Sequence, residues 1–297
     1  TNNPFYHYLN VVLRRSTIQL LRFHFSLFLL PVYLFAISQL HNQVHWFKAL
    51  AAFFILHFLV YPSSNGYNSY MDRDQPPIGG LKKPMQPTRQ LFVVTVIMDV
   101  IAVGLSLYIH ALFALGILFY ILASRAYSYR RIRLKQYPIT GFLIVFIFQG
   151  AVVFYLTYTG CSTVPHSVPW LPCLISSLLI GASYPLTQIY QHQQDKEDGV
   201  VTISYKLGKR GTFLFSFIMF GAATICLFFL FKVKGELQSF YLFLTCMLPV
   251  VLFFSWWCYK VWKDAEAANF KNSLLMNVIS TLCMLVYFST LIIRQYT

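Results

Sequence analysis

Long apolar runs alternate with short polar segments along the whole chain. Each run approaches the roughly 20 residues that an α-helix needs to cross the hydrocarbon core of a bilayer. The pattern therefore predicts an all-α, polytopic membrane protein with about nine transmembrane helices in one bundle. The predicted spans cover residues 17–40, 46–64, 90–110, 111–127, 139–159, 169–190, 212–232, 239–260 and 274–293.

The composition separates this chain from soluble proteins of similar length. Of its 297 residues, 57% are hydrophobic and only 11% are charged, whereas about a quarter of the residues in a soluble domain carry a charge. The charges that remain are concentrated in the loops between the apolar runs, which excludes a large soluble core. We expect a single transmembrane domain over residues 1–297.

The distribution of basic residues predicts the orientation of the bundle. With nine spans, the N-terminus and the loops after helices 2, 4, 6 and 8 share one side, which holds 19 of the 23 Lys and Arg residues. By the positive-inside rule this side faces the cytoplasm. The loops are too short, and too close to a membrane surface, to favour nucleic acid as a partner. The compact chain without a visible targeting segment favours the inner membrane of a bacterial cell.

The first polar cluster follows predicted helix 2. Asn68 and Asp72 are four residues apart, so on a continued helix they share a face. Hard oxygen ligands on one face suit Mg²⁺, which proteins usually hold with one or two carboxylates plus substrate phosphates. Downstream, Lys83 and Arg89 are cations able to hold a phosphate. The simpler interpretation is a solvated helix end with surface acids.

The second polar cluster follows predicted helix 6. Gln188, Gln191, His192 and Asp195 fall at the i, i+3, i+4 and i+7 positions of one helix face. A polar stripe near a helix end in a membrane protein faces a cavity or a neighbouring helix, because exposure to lipid is costly. Hydrogen bonding between helices is the alternative for the glutamines. Both clusters lie on the predicted cytoplasmic side, which favours a shared site in a central cavity open to that side.

These residues together resemble the UbiA superfamily of intramembrane prenyltransferases. The segment Asn68-x-x-x-Asp72, followed by Lys83-Pro84, is similar to the superfamily's motif after helix 2. Asp195-x-x-x-Gly199, with Thr202 and Leu207-Gly208 beyond it, resembles the stretch after the second motif. The segment Tyr127-x-x-x-Arg131, with Lys135 beyond it, resembles a basic element after helix 4, and Arg22 stands where many members have an arginine. The resemblance covers essentially the whole chain.

The chain departs from the superfamily pattern at both motifs. The last aspartate of the first motif would fall at Pro76, and Asp74 lies two residues earlier instead. In the second motif, Gln191 and Gln188 stand where the superfamily has an aspartate and, often, an acid or amide. A glutamine offers a carbonyl oxygen but no negative charge. Either Asp74 and Asp198 supply the missing charge, or the Mg²⁺ site is weaker or holds fewer ions.

The resemblance implies a function and a set of roles. A Mg²⁺-bound diphosphate ionises, and an acceptor attacks the isoprenoid cation within the membrane; the partners are an isoprenyl diphosphate, an unidentified acceptor that is aromatic or lipid-like, and membrane lipid. Asn68, Asp72 and Asp195 would be catalytic and, with Asp74, Gln188 and Gln191, would hold Mg²⁺. The expected diphosphate-binding residues are Arg22, Lys83, Arg131, Lys135 and Asp198. Further candidates are Tyr127, His192 and Asp99.

Two alternative functions remain open at this point, and so does the role of Asp99. The altered second motif also fits a membrane terpene cyclase of the same superfamily, which would need no acceptor. A transporter or binding protein without chemistry is the other alternative, because transport pathways also contain intramembrane polar stripes. Asp99 lies two to three turns inside predicted helix 3, where it would either deprotonate an acceptor or bond a neighbouring helix.

Overall fold

Nine long helices dominate the part of the chain that the computed structural model describes, residues 13–165 and 167–296. Each overlaps one predicted span, so the all-α membrane fold is confirmed. Their bounds are α1 Arg15–Ser38, α2 Trp46–Asp72, α3 Arg89–Ile109, α4 Ala111–Ser128, α5 Pro138–Cys161, α6 Trp170–Gln188, α7 Ile203–Val233, α8 Leu237–Lys263 and α9 Phe270–Arg294. Within these described residues no strand forms, and β-pairing is limited to isolated bridges.

Successive helices run in opposite directions, which gives the bundle two distinct ends. We call the end where α2, α4, α6 and α8 finish the basic end, because most Lys and Arg side chains lie in its loops. At the opposite end, the loops after α1 and α5 meet in a bridge between Val44 and Ser162. There the Nζ of Lys234 also donates to Gln39 at 2.8 Å. Contacts between loops therefore also hold the helices together at the opposite end.

Two helices extend further toward the basic end than their hydrophobicity predicts. Helix α2 continues past residue 64 to Asp72, and α7 begins at Ile203 rather than at residue 212, with a break at Gly208 whose φ is 71°. The added turns are polar but helical, since a helix satisfies its backbone hydrogen bonds whatever side chains it carries. The first polar cluster therefore lies on a continuous helix.

Three of the helices deviate from regular α geometry where they line the bundle interior. A π-helical turn interrupts α2 at Ile55–Val60 and α5 at Phe146–Val152. In α1, Arg22 adopts a left-handed backbone with φ 49°, so the helix breaks and restarts there. Such irregularities re-aim the side chains that follow them.

Close backbone contact joins α5 to α6 beside these irregular turns. A Cβ added at Gly150 would lie 2.4 Å from the Cα of Ser177, a distance that real structures do not allow. The amide of Ala151 also donates to the Ser177 hydroxyl at 3.0 Å. Small residues at such crossings let membrane helices approach closely, which maximises van der Waals contact.

Candidate active site

A cavity of about 310 Å³ runs from the basic end into the bundle. Both polar clusters line it, together with residues from the loop after α4. Further in, its wall becomes largely apolar, with Phe25, Val32, Phe148 and Ile180 among the lining residues. The cavity thus joins a charged mouth to an apolar interior.

The first cluster occupies the last turns of α2. The Oδ1 of Asn68 accepts a hydrogen bond from the Ser128 hydroxyl at 2.8 Å, which fixes the amide at the end of α4. One carboxylate oxygen of Asp72 accepts a hydrogen bond from the Nζ of Lys135, and the other lies 3.8 Å from the guanidinium of Arg133. Only 5% of the Asp72 side chain is exposed, and these two partly buried cations balance its charge.

The second cluster is divided between the end of α6 and the short helix His192–Glu197. Gln188 donates to the Tyr184 hydroxyl at 2.8 Å, and Gln191 donates to the carbonyl of Pro77 at 3.3 Å. Asp195 accepts a hydrogen bond from the Thr202 hydroxyl at 3.2 Å. The single stripe predicted for this segment is therefore split, because regular α6 ends at Gln188.

Contacts between loops bring the two clusters to one mouth. Gln194 on the short helix donates to Asp74, which follows α2. The guanidinium of Arg133 donates to the backbone carbonyl of Asp198 at 3.0 Å and lies 3.7 Å from the carboxylate of the same residue. The guanidinium of Arg133 thus lies between Asp72 and Asp198. The structure therefore brings Asp72 of the first motif and Asp198, three residues after Asp195, together around one cation.

Burial raises the pKa values of two acids at the mouth, and neighbouring carboxylates add to the effect. Burial, reinforced by the charge of Asp72, raises the pKa of Asp74 to about 6. Burial, with Asp74 and Asp198 nearby, raises the pKa of Asp195 to about 7, although the Thr202 hydrogen bond and Lys135 act in the opposite direction. Burial thus disfavours the ionised form of both carboxylates, and a cation bound beside them would favour it.

Arg22 reaches the same cavity from the break in α1. Its guanidinium donates to the carbonyl of Gly79 at 3.3 Å and to the carbonyl of Asn65 at 3.2 Å. The residue is only 6% exposed, and its Nε lacks a hydrogen-bond partner. A buried cation with a spare donor suits an anionic ligand. Tyr127 also lines the cavity, and its hydroxyl shares a hydrogen bond with that of Tyr184.

The donors present fit a magnesium ion that is shared with a phosphate ligand. Among the described residues, no three His, Cys, Asp or Glu side chains form a ready metal cluster. Mg²⁺ rarely needs one, because substrate phosphates and water complete its shell. One oxygen of Asp72 and the Oε1 of Gln188 are buried without a hydrogen-bond partner. These oxygens, with the carboxylates of Asp74 and Asp195, are hard ligands of the kind Mg²⁺ prefers.

Four residues proposed from sequence do not line the cavity. Lys83 and Arg131 are exposed at the basic end, outside the cavity wall. His192 is hydrogen-bonded to the Ser204 hydroxyl at 2.8 Å, and burial lowers its pKa to about 4. Asp99 also lies outside the wall.

Asp99 belongs to a separate buried network that joins α2, α3 and α4. Its carboxylate pairs with Arg125, whose Nε donates at 2.9 Å, and accepts from the Ser63 hydroxyl at 2.6 Å. Arg125 also donates to Thr95 at 3.3 Å and lies 3.9 Å from the ring centre of Tyr67. The carboxylate is fully engaged in holding these helices together, which is the second of the two roles that its sequence position suggested.

The cavity mouth also contains residues that lie outside the sequence motifs. Arg133 is one of them, although it lies between Arg131 and Lys135 in the same basic loop. Ser128 and Gln194 contact Asn68 and Asp74 respectively. The alternating basic residues of the loop were a usable signal for Arg133, whereas the polar partners carry no distinctive pattern.

The chain is similar to known proteins in sequence and in fold. The sequence profile of the UbiA prenyltransferase family matches residues 28–280. No curated protein matches the chain.

Solved structures with the same fold cover nearly the whole chain. A UbiA homolog from Archaeoglobus fulgidus bound to GPP and Mg²⁺ is 17% identical, with a TM-score of 0.68 over 93% of this chain and 99% of the other. An apo UbiA homolog from Aeropyrum pernix K1 is also 17% identical, with a TM-score of 0.65 over 89% and 98%. A structure reported for digeranylgeranylglyceryl phosphate synthase is 20% identical, with a TM-score of 0.60 over 94% and 98%.

Proposed function

Because the chain belongs to the UbiA prenyltransferase family, we propose that it transfers an isoprenoid group from an isoprenyl diphosphate to an acceptor inside the membrane. One observation carries the proposal: a single cavity joins buried carboxylates and cations at its mouth to an apolar interior. The mouth suits a diphosphate, and the interior suits the isoprenoid chain. A structural relative from Archaeoglobus fulgidus bound to GPP and Mg²⁺ supports the same pairing of ligands.

Three cations of the cavity wall, one buried and two partly buried, are suited to hold the diphosphate. Lys135 and Arg133 lie beside Asp72, and Arg22 faces the cavity from α1. Ammonium and guanidinium groups form strong, charge-assisted hydrogen bonds to phosphate oxygens. We assign the clamp role to these three residues and give Lys83 and Arg131 no part in it, because both are exposed outside the cavity wall.

The oxygen donors of the mouth are suited to hold Mg²⁺ beside the diphosphate. We assign this role to Asn68, Asp72, Asp74 and Asp195, with Gln188 as a neutral donor. Bound Mg²⁺ supplies positive charge that stabilises the departing diphosphate. Ser128 and Thr202 orient the Asn68 amide and the Asp195 carboxylate through hydrogen bonds of 2.8 and 3.2 Å. Gln191 donates to a backbone carbonyl, an arrangement that leaves its own oxygen free.

The proposed reaction breaks one C–O bond and forms one bond to the acceptor. The bonding electrons leave with the diphosphate, whose growing charge is balanced by Arg22, Arg133 and Lys135. The allylic cation that remains is shielded from water by the apolar wall, where aromatic faces such as Phe25 and Phe148 stabilise positive charge. The acceptor supplies the electron pair for the new bond and then loses a proton.

The orientation of the site follows from the charge of the loops. We propose that the basic end faces the cytoplasm, since it carries most of the positive charge. A water-soluble diphosphate would then enter directly from the compartment that the mouth faces.

The proposal is tested by pyrophosphate release from purified protein in detergent. Geranyl, farnesyl and geranylgeranyl diphosphate are each supplied with and without Mg²⁺. A membrane extract is added to every assay as the source of acceptor. Release should depend on Mg²⁺ and should fall at least a hundredfold in Asp72→Asn and Asp195→Asn. Asp264→Asn, at the same end but outside the cavity wall, should leave it unchanged.

Two results would count against the proposal. Failure to release pyrophosphate from every diphosphate, with folded protein and extract present, would contradict the chemistry. Formation of a cyclic hydrocarbon or alcohol without any acceptor would replace transfer by cyclisation while keeping the same ionisation site.

A further inference from the structure

Cations and aromatic rings gather on the outer face of α7 and α8 at the basic end. None of them lines the cavity wall. We call this group the α7–α8 patch. Its cations are Lys209 and Arg210 on α7 with Lys260 and Lys263 on α8, and its rings are Trp256, Tyr259 and Trp262 on α8.

Two contacts join α7 to α8 within the patch. The Nη2 of Arg210 donates to the carbonyl of Trp262 at 2.8 Å, and the guanidinium lies 5.9 Å from the ring centre of the same residue. The Nζ of Lys209 donates to the carbonyl of Ala265, just beyond α8, at 2.8 Å. The start of α7 and the end of α8 therefore form one surface, on which the Arg210 side chain has a fixed position.

The cations of the patch outnumber the carboxylates around them. The carboxylate of Glu266 pairs with Lys209 at 3.2 Å, and that of Asp264 accepts a backbone amide at 2.9 Å. In the described part of the chain, no carboxylate pairs with the other three cations of the patch. The patch thus presents positive charge that the protein itself does not neutralise.

The aromatic rings locate these cations at the membrane interface. Tryptophan and tyrosine side chains concentrate where the hydrocarbon core meets the lipid headgroups. The Nζ of Lys263 lies 4.6 Å from the ring centre of Tyr259, and that of Lys260 lies 6.0 Å from the ring centre of Trp256. A ring attracts a cation but carries no net charge, so it orients the cation without neutralising it. The cations therefore stand at the level of the lipid phosphates.

Exposed apolar side chains continue both helix faces toward the middle of the bilayer. On α7, Leu214 and Phe217 follow Arg210 by four and seven residues, so the three share a face. On α8, Leu252 precedes Lys263 by eleven residues, which is about three helical turns. All three apolar side chains are 59–64% exposed. Cations above an apolar track match the order of phosphate and acyl chain in a lipid.

We propose that the α7–α8 patch binds an anionic phospholipid, with its phosphate at Arg210 and Lys263 and its acyl chains along the exposed faces of α7 and α8. Guanidinium and ammonium groups form charge-assisted hydrogen bonds to phosphate oxygens. Only one Arg210 nitrogen is engaged in the described structure, so its other N–H groups remain for a phosphate. A zwitterionic lipid would bring an ammonium group of its own to this place, where the cations repel it. The site is separate from the cavity and does not depend on the proposed reaction.

The test compares two lipids that share their acyl chains. The purified protein in detergent is titrated with dioleoyl phosphatidylglycerol or with dioleoyl phosphatidylcholine, and native mass spectrometry counts the lipids that stay bound. We expect the anionic lipid to bind its first site at least about fivefold more tightly, which is the contribution of one cation near an anionic headgroup.

Variants connect that preference to the patch. Lys263→Gln should weaken phosphatidylglycerol binding about fivefold, and Arg210→Gln/Lys263→Gln about twentyfold or more. Lys263 is exposed and pairs with no carboxylate, so its replacement should leave the melting temperature unchanged. Arg210→Lys keeps the charge and should retain most of the binding even though the hydrogen bond to Trp262 is altered.

Lys82→Gln/Lys83→Gln is the matched control, because it removes the same charge from exposed positions at the same end. It should leave the affinity for phosphatidylglycerol within about twofold of the wild type. Equal affinity for the two lipids, or equal losses in the patch and control variants, would overturn the proposal. Displacement of phosphatidylglycerol by millimolar inorganic phosphate would also overturn it, since the site would then recognise a free anion rather than a lipid.

Discussion

Lys135 is the cation most closely engaged with the first motif. Its ammonium donates to Asp72, and only 12% of its side chain is exposed. An ion pair in this surrounding is screened little by salt, so either partner interacts strongly with any charge that enters the cavity. Lys83, by contrast, is exposed outside the cavity wall. The two lysines allow a direct comparison of cavity and surface charge.

Replacing Lys135 with methionine should weaken binding of a prenyl thiodiphosphate with Mg²⁺ by about tenfold or more, since charged hydrogen bonds contribute about 1.5–3 kcal/mol. Lys83→Met should change it less than twofold. Titration calorimetry measures both, and melting temperatures check folding. Equal losses in the two variants would mean that the diphosphate is held by the surface loop rather than by the cavity cations.

Asp195 makes the stability of the ligand-free protein depend on pH. Its pKa is about 7 in the folded protein, above its ordinary value of 3.8, chiefly because of burial. The folded state therefore binds more protons than the unfolded state between these values, so stability should fall as pH rises from about 4 to about 7. Melting curves in detergent should show the decline, and Asp195→Asn should make it shallower; the part that remains belongs to Asp74, whose pKa burial raises to about 6.

Glu197→Gln serves as the control for that measurement, because Glu197 is exposed on the same short helix. A wild-type melting temperature that rises over this pH range, or a slope unaffected by Asp195→Asn, would contradict the role assigned to the buried carboxylate.

Residue spacing identified the oxygen donors of the site better than its cations. Asn68 and Asp72 were selected by a helical interval and Asp195 from a polar stripe, and all three line the cavity, although the helix predicted to carry the stripe ends at Gln188. The basic loop after α4 has no such regularity: Arg133 adopts a left-handed backbone, with φ 43°, which reverses the chain locally. Sequence distance therefore does not show that Arg133 and Lys135 point to the cavity whereas Arg131 stays outside.

Helix contacts in this bundle depend on small residues at a few crossings. The approach of α5 to α6 at Gly150 is one of these, and an added methyl group there would meet the backbone of Ser177. Gly221 on α7 offers a contrast, since no atom lies within 4 Å of the place that a methyl group would occupy.

Gly150→Ala should therefore destabilise the folded protein by about 1–3 kcal/mol, the usual cost of overpacking. Gly221→Ala should be neutral or stabilising by up to about 1 kcal/mol, because alanine suits a helix interior better than glycine. Thermal unfolding in a fixed detergent measures the difference. Similar melting temperatures for the two variants would mean that α5 and α6 separate easily.

Hydrophobic runs predicted the spans well and the helix ends poorly. Lipid-facing positions dominate the apolar signal, so the middle of each helix is evident from sequence. The last turns of α2 instead carry Asn65, Asn68 and Asp72, whose polarity reads as a loop although they face a cavity within the bundle. The partnership of Asp99 with Arg125 was equally hidden, because it depends on how α3 packs against α4.

The two ends of the whole molecule differ strongly in charge. The formal net charge is +14 at pH 7, and most of it belongs to the basic end. Short basic loops resist translocation, which is why they orient a bundle. The candidate site opens at the same end, so its access to substrate depends on this orientation.

Single cysteines report which way the bundle faces. A cysteine at Lys83 marks the basic end, and one at Val233, which is 86% exposed, marks the other. A membrane-impermeant maleimide should label Val233→Cys in intact spheroplasts and Lys83→Cys only in inside-out vesicles, with the unsubstituted chain as background. The reverse labelling pattern would place the site on the outer face.

The π-helical turn at Ile55–Val60 links the aim of the first motif to a segment about two turns further into the membrane. A π turn holds one more residue than an α turn, and each residue of an α-helix advances the side chains by about 100°. Loss of one residue there would restore α-helical pitch and rotate Asn68 and Asp72 by that angle, away from the cavity. The sequence of the motif would be unchanged in such a chain, but the Asp72 carboxylate and the Asn68 amide would face a neighbouring helix.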